Sequence, residues 1–225
     1  MKRTIITTKD GSKTIHLPEW NENYHSHHGA FQEALHVFIQ MGLCEKLKTK
    51  QKISILEVGF GTGLNAMLTY TSTVNSSCDV SYTAIEAFPV STEEMTALAY
   101  GKHSIIAPFE ETYDTLHHVP WGKAQQISNH FSLTKLHVTL HDFIAQTDLP
   151  SYDLIYFDAF GPRVQPELWE KEVFEALYKL LHPNGILVTY CAKGQVRRDL
   201  QSVGFLVEKL PGPPGKREML RGVKG

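Results

Sequence analysis

One stretch constrains this chain more than any other: Leu56-Glu57-Val58-Gly59-Phe60-Gly61-Thr62-Gly63-Leu64, an apolar run that meets three alternating glycines and then a helical pattern. Glycine turns the backbone tightly and lets a ligand come close to the amide N–H groups at a helix start. The spacing narrows the ligand. A dinucleotide fingerprint, G-x-G-x-x-G, needs its third glycine one residue later, where Leu64 stands, and no G-K-[ST] phosphate loop occurs. A nucleoside without a pyrophosphate fits best, S-adenosylmethionine being the commonest; the competing reading is a purely structural turn.

Strand and helix patterns alternate from residue 51 onward. Strands are predicted at 53–58, 80–85, 136–140, 152–157, 186–190, 205–209 and 217–220, and helices at 63–73, 89–100, 108–132 (interrupted near Pro120-Trp121-Gly122), from Pro166, and at 193–203. This order predicts an α/β fold with a mainly parallel sheet of seven strands and helices on both faces. Upstream, Thr4–Thr8 and Lys13–Leu17 flank Asp10-Gly11 as a β-hairpin, and Phe31, Ala34, Leu35 and Phe38 follow helical spacing with Gly42 as the stop. Residues 1–50 thus read as a hairpin and helix extension of a 51–225 domain.

Ligands of such sheets bind beyond the carboxyl ends of the strands, where Gly59, Glu86, Asp142 and Asp158 are expected. Glu86, at the second strand end, suits the two hydroxyls of a ribose; its alternative is a helix cap or solvated charge. Asp142 reads as acceptor from an adenine amino group or as cap of the helix that follows. Asp158, delivered by the apolar run Tyr152–Phe157, can bind and orient an ammonium and accept its proton. An aliphatic amine needs such help, because by analogy with lysine its pKa lies about three units above neutral.

Composition excludes more than it assigns. With 42% hydrophobic and 20% charged residues among 225, the chain is neither disordered nor membrane-spanning, and a cytoplasmic monomer is expected. Cys44, Cys78 and Cys191 are too scattered for a disulfide framework, and the neighbouring His25, His27 and His28 lack the spacing of a zinc site, so no metal is expected. No G-x-S-x-G elbow supports a hydrolase. Net charge is −2, but residues 193–225 hold eight basic side chains against three acidic ones. That surplus reads as a solvated face or as the footprint of a polyanionic partner.

Taken together, Glu57 through Asn65, Phe157-Asp158-Ala159-Phe160 with Pro162, the Pro166-Glu167-Leu168-Trp169 helix start, Val196-Arg197-Arg198 and Lys216-Arg217-Glu218-Met219-Leu220 resemble the MnmD-type tRNA methyltransferases, the methyltransferase half of bifunctional MnmC enzymes. Tyr24-His25-Ser26, Gly29-Ala30 and Gln32-Glu33 are similar too, so the likeness runs from about residue 10 to 221. It departs at Gly161 and Arg163-Val164-Gln165.

The resemblance implies a class I, Rossmann-like methyltransferase fold with an antiparallel last strand. It implies methyl transfer from S-adenosylmethionine to the amine of 5-aminomethyl-(2-thio)uridine at the tRNA wobble position. Glu57, Gly59, Phe60, Gly61, Thr62, Gly63, Asn65, Glu86, Asp142 and Asp158 then surround the cofactor, with Asp158 at the reacting amine. Tyr24, His25, Phe160 and Phe60 would face the uridine; Lys193, Arg197, Arg198, Lys216 and Arg217 would contact phosphates of the anticodon arm. The flavin-dependent oxidoreductase domain of MnmC has no room in this length, so no flavin is expected. The rivals are a small-molecule amine methyl- or aminopropyltransferase and a noncatalytic nucleic-acid-binding module.

Overall fold

The computed structural model describes residues 2–225. At its amino end β1 (Thr4–Thr7), β2 (Lys13–Leu17) and β3 (Glu22–Asn23) form a small antiparallel sheet. Its first turn is closed by Thr8 N–H to Ser12 O at 2.8 Å, with Asp10 accepting from the Ser12 N–H at 3.0 Å. One helical rod follows: α1 (Ala30–Ala34), a π-helical stretch Leu35–Leu43 and α2 (Cys44–Leu47). Gly42 is therefore not a stop. It lies inside the rod, where a Cβ would sit 3.1 Å from Val188 Cγ2 and 3.4 Å from Leu154 and Tyr156, so the glycine permits close approach to the sheet.

The main sheet has eight strands. After β4 (Lys52–Val58) come α3 (Leu64–Thr73), β5 (Asp79–Ile85), α4 (Thr92–Leu98), α5 (Glu110–His118), β6 (Ala124–Ser128) and β7 (Phe131–Leu136). Then follow α6 (Leu140–Ile144), β8 (Tyr152–Phe157), α7 (Lys171–Leu180), β9 (Leu181–Thr189), α8 (Gly194–Ser202), β10 (Phe205–Pro211) and β11 (Glu218–Lys224). The order across the sheet is β10-β11-β9-β8-β4-β5-β7-β6. β9, β8, β4, β5 and β7 are parallel neighbours, whereas β11 and β6 run antiparallel. The last strand is antiparallel, as the resemblance implied.

The eighth strand corrects the reading of residues 108–140. The helix ends at His118, and Ala124–Leu136 is a strand pair rather than a helix followed by a strand at 136–140. Phe131, Leu133 and Lys135 are buried while Ser132, Thr134 and Leu136 are less so, a period of two that a helix cannot present to one core. Thr139 then accepts a hydrogen bond from the Asp142 N–H as N-cap of α6.

Alternate residues of the central strands feed two cores. Ile55, Tyr156 and Val188 join Val37, Phe38 and Phe131 on one face; Leu56, Phe157 and Leu187 join Phe174, Leu177 and Leu200 on the other. Every residue of β8 is buried, and each large apolar side chain so covered contributes about 2 kcal/mol. The rod of residues 30–47 therefore covers one face of the sheet, opposite α7 and α8. No helix is long and apolar enough to cross a membrane among the described residues.

Candidate active site

A cavity of about 980 Å³ opens at the carboxyl ends of β4, β5, β8 and β9. The glycine turn forms its floor. Gly59 and Phe60 donate to Ile85 O at 3.0 and 3.1 Å, and Gly63 donates to Phe60 O at 2.8 Å. Gly59 has φ +93°, and a Cβ there would lie 2.9 Å from the Asp158 carbonyl oxygen; only glycine lets the ends of β4 and β8 meet so closely.

Glu86 lines the cavity, accepting the Gly61 N–H at 2.8 Å and the Phe88 N–H at 2.7 Å, one on each carboxylate oxygen. Those bonds orient it and leave further lone pairs for a diol. Asp158 lies across the turn. Its Oδ2 accepts from Asn65 Nδ2 at 2.8 Å. Burial, and then the Glu33 carboxylate, push its pKa up, while the Asn65 bond and the Lys216 ammonium pull it back, leaving it at about 7.

The other residues quoted with the turn divide. Thr62 and Asn65 line the cavity, Thr62 with a buried hydroxyl that has no hydrogen-bond partner. Glu57 does not; it sits behind the turn, fully buried, with both carboxylate oxygens unpartnered, and burial raises its pKa well above the usual range. Tyr82 and Asn65 lie close enough to oppose that shift, yet neither makes a well-formed bond to it. Phe60 contributes to the floor, but its ring packs against His117 and Trp121 at centroid distances of 5.5 and 6.1 Å, leaving 4% of the residue exposed. It is not free to stack on a base. Asp142 is absent from the cavity lining: exposed, it accepts from the Thr139 hydroxyl at 2.7 Å and completes the start of α6. Val138 and Leu140 stand in the lining instead.

The amino-terminal segment closes the outer wall. Tyr24 and Trp20 meet the Phe160 ring edge-on at 5.1 and 5.7 Å, and Phe160 is fixed from behind by Trp169 Nε1–H donating to its carbonyl at 2.7 Å. His25 also lines the cavity, beside Thr14 and Tyr100, and burial lowers its pKa to about 4, so it is neutral at pH 7. Arg163 donates to Trp20 O, Asn21 O and Glu22, so the segment that departs from the family pattern ties this wall to the chain after β8.

The basic tail divides as well. Lys209 and Arg221 pair with Glu218 and Glu208, and Lys224 is spent on the Tyr178 and Leu181 carbonyls. Lys193, Arg198 and Arg217 are exposed outside the lining; Arg197 is partly buried, its Nε unpartnered. Lys216 lies inside the cavity, paired with Glu33. Glu33, Tyr190 and Arg3 are lining residues to which the sequence had given no separate role. Among the described residues, no three or more His, Cys, Asp and Glu side chains converge as a metal site.

This donor set fits S-adenosylmethionine: an acceptor carboxylate for a ribose, amides at a helix start, an orphaned Thr62 hydroxyl, and Asp158 where a sulfonium or amine would be held. A family model described as S-adenosyl-L-methionine-dependent methyltransferase matches residues 107–225, more than half the chain. The chain belongs to that family and has the class I fold. More particularly, it is 30% identical over 97% of its length to the tRNA 5-methylaminomethyl-2-thiouridine biosynthesis bifunctional protein MnmC of Burkholderia pseudomallei and, equally, of Burkholderia mallei. It spans 35% of the length of those relatives. The crystal structure of MNMC2 from Aquifex aeolicus matches with a TM-score of 0.81 and 27% identity, over 98% of this chain and 69% of that one.

Proposed function

We propose that this chain methylates the primary amine of 5-aminomethyl-(2-thio)uridine at the tRNA wobble position, giving 5-methylaminomethyl-(2-thio)uridine. The observation that carries it is Asp158: a carboxylate at a central strand end, held by Asn65 and open to a cavity floored by the glycine turn. The names of the Burkholderia and Aquifex proteins support the substrate.

Bound in the cavity, S-adenosylmethionine would supply an electrophilic methyl on a sulfonium for an amine lone pair, with a neutral thioether as the leaving group. Glu86 and the first amides of α3 hold the nucleoside end, and Thr62 offers its free hydroxyl. Asn65 holds one oxygen of Asp158 and leaves the other to the substrate. Ionised Asp158 binds the incoming ammonium, orients it and accepts its proton, which frees the lone pair. Tyr24 and Phe160 wall in the uridine, with neutral His25 behind them. Lys193, Arg197, Arg198 and Arg217 position the anticodon arm through its phosphates. Residues 1–50 act as an extension that completes this wall over the 51–225 domain. The protein works as a cytoplasmic monomer without flavin or metal.

The test is to incubate the chain with labelled S-adenosylmethionine and tRNA bearing aminomethyluridine, digest to nucleosides and locate the methyl by mass spectrometry. Unmodified tRNA and putrescine serve as parallel substrates. Methyl on the aminomethyl nitrogen alone is expected. Label in putrescine but not in tRNA would replace this reading with the small-amine one.

A further inference from the structure

The loop between β10 and β11 carries a cation into the cavity. Gly212 N–H donates to Arg217 O at 3.1 Å and Lys216 N–H to Pro213 O at 2.9 Å, which closes a tight loop and turns the Lys216 side chain inward. The Lys216 ammonium donates to Glu33 Oε1 and lies 3.9 Å from the centroid of the Tyr190 ring. Both partners are themselves fixed. Glu33 accepts the Ser26 N–H at 2.8 Å on its other oxygen, and the Tyr190 hydroxyl donates at 2.9 Å to the carbonyl of Ala159, the residue after Asp158.

A buried carboxylate, an aromatic face and a second carboxylate in one cavity wall are the groups that bind an organic ammonium, through charge, hydrogen bonds and the ring quadrupole. Here Glu33 and Tyr190 hold one already, the Lys216 ammonium. The Lys216 side chain is 32% exposed and sits on a loop, whereas the Glu33 side chain is 10% exposed on a helix that packs on the sheet. The cation is the part that can leave.

We propose that Glu33, Tyr190 and Asp158 form a recognition cage for the aliphatic ammonium of the substrate, and that Lys216 fills this cage until the substrate displaces it. The identity of the ammonium rests on the function proposed above. Displacement exchanges one ion pair for another, so the amine gains little by itself. A tethered competitor acts at an effective concentration on the order of millimolar. A free small amine must overcome that, whereas an amine delivered by tRNA draws on phosphate contacts elsewhere. Specificity against small polyamines follows, and the released Lys216 becomes a further cation at the rim.

The test is binding of the 5-aminomethyluridine nucleoside, by calorimetry in the presence of S-adenosylhomocysteine, to the wild type, to Lys216→Met and to Lys216→Met with Glu33→Gln. Lys216→Met is expected to bind the nucleoside at least ~10-fold more tightly than the wild type, because the tethered competitor is gone. Adding Glu33→Gln is expected to abolish the gain. No gain in Lys216→Met, or a gain that survives Glu33→Gln, overturns the cage. If Lys216→Met does not fold, the 15N signal of the Lys216 ammonium in the wild type decides: saturating nucleoside shifts or broadens it if the cage exchanges occupants, and leaves it unchanged if not. A wild type that fails to methylate aminomethyl-tRNA while Lys216→Met gains amine affinity sinks the substrate reading and leaves the cage. Methylation of that tRNA with no change in Lys216→Met does the reverse.

Discussion

Two charged groups flank the glycine turn, and they differ in what surrounds them. Asp158 faces the large cavity with one oxygen on Asn65 and the other unspent. On the far side of Phe60, Lys135 is 1% exposed, donates to His117 O at 2.6 Å and lies 4.8 and 5.4 Å from the centroids of Trp121 and Phe60. It also borders a cavity, of about 330 Å³. Burial moves both groups toward neutrality, Asp158 up to about 7 and Lys135 down to about 8. A perturbed pKa therefore does not distinguish a reacting group from a packed one. What separates them is the surroundings: Asp158 faces the cavity of about 980 Å³ at the strand ends, whereas the Lys135 ammonium is already covered by the faces of Trp121 and Phe60.

The largest effect expected from breaking this comparison is at the turn. Gly59→Ala forces a Cβ against the Asp158 backbone carbonyl at 2.9 Å, whereas in Gly63→Ala the clash is with side chains, His117 Nε2 at 2.7 Å and Phe60 Cζ at 3.0 Å. Both bear the strain of a positive φ, about 1–2 kcal/mol. Cofactor affinity, measured by calorimetry, is expected to fall by about 100-fold or more in Gly59→Ala, a loss equivalent to about 2.7 kcal/mol, and by clearly less in Gly63→Ala. Equal losses would mean that approach to Asp158 is not what the glycine serves.

Stability against pH gives a smaller contrast with opposite signs. Asp158 is raised from 3.8 to about 7, so the folded state holds the extra proton, and this contribution to stability is lost as pH rises from about 4 through about 7. Lys135 is lowered from 10.5 to about 8, so the unfolded state holds the extra proton and stability is gained as pH rises from about 8 to about 10.5. Denaturant titrations should lose the lower window in Asp158→Asn and the upper one in Lys135→Met. At neutral pH Lys135→Met is expected to change stability by no more than about 1 kcal/mol, since a buried charge gives way to an apolar side chain of similar volume.

The smallest effects belong to the exposed rim. Arg198→Ala and Arg217→Ala are each expected to raise the KM for tRNA a few-fold and to reduce the salt slope by about one, with no change for the nucleoside. An equal effect on the nucleoside would place these residues in the cavity rather than on a phosphate path.

Legibility in the sequence followed the strand boundaries. Ile85 and Phe157 end their strands where the apolar runs predict, so the strand-end rule put Glu86 and Asp158 in the cavity wall. The same rule misplaced Asp142, because β7 ends at Leu136 rather than Leu140 and Asp142 belongs to the start of a helix. That boundary was hidden by Ala124–Ser128, a half-exposed edge strand of polar residues with little apolar periodicity. Glu33 carries a signal of its own in the sequence. It is a charged residue among Phe31 and Ala34 on the buried face of an amphipathic helix, which demands a partner. Its partner Lys216 lies 183 residues away, a pairing no local pattern reveals.

The central claim is that Asp158 serves the amine rather than the fold or the cofactor. Single-turnover methyl transfer to aminomethyl-tRNA, in wild type and Asp158→Asn with cofactor binding verified in both, tests it most directly from about pH 6 to about pH 9. The wild-type rate at subsaturating tRNA is expected to rise with an apparent pKa near 7, and Asp158→Asn to be slower by about 100-fold or more, without that rise. Wild-type rates in Asp158→Asn, with the same pH dependence, would contradict the account.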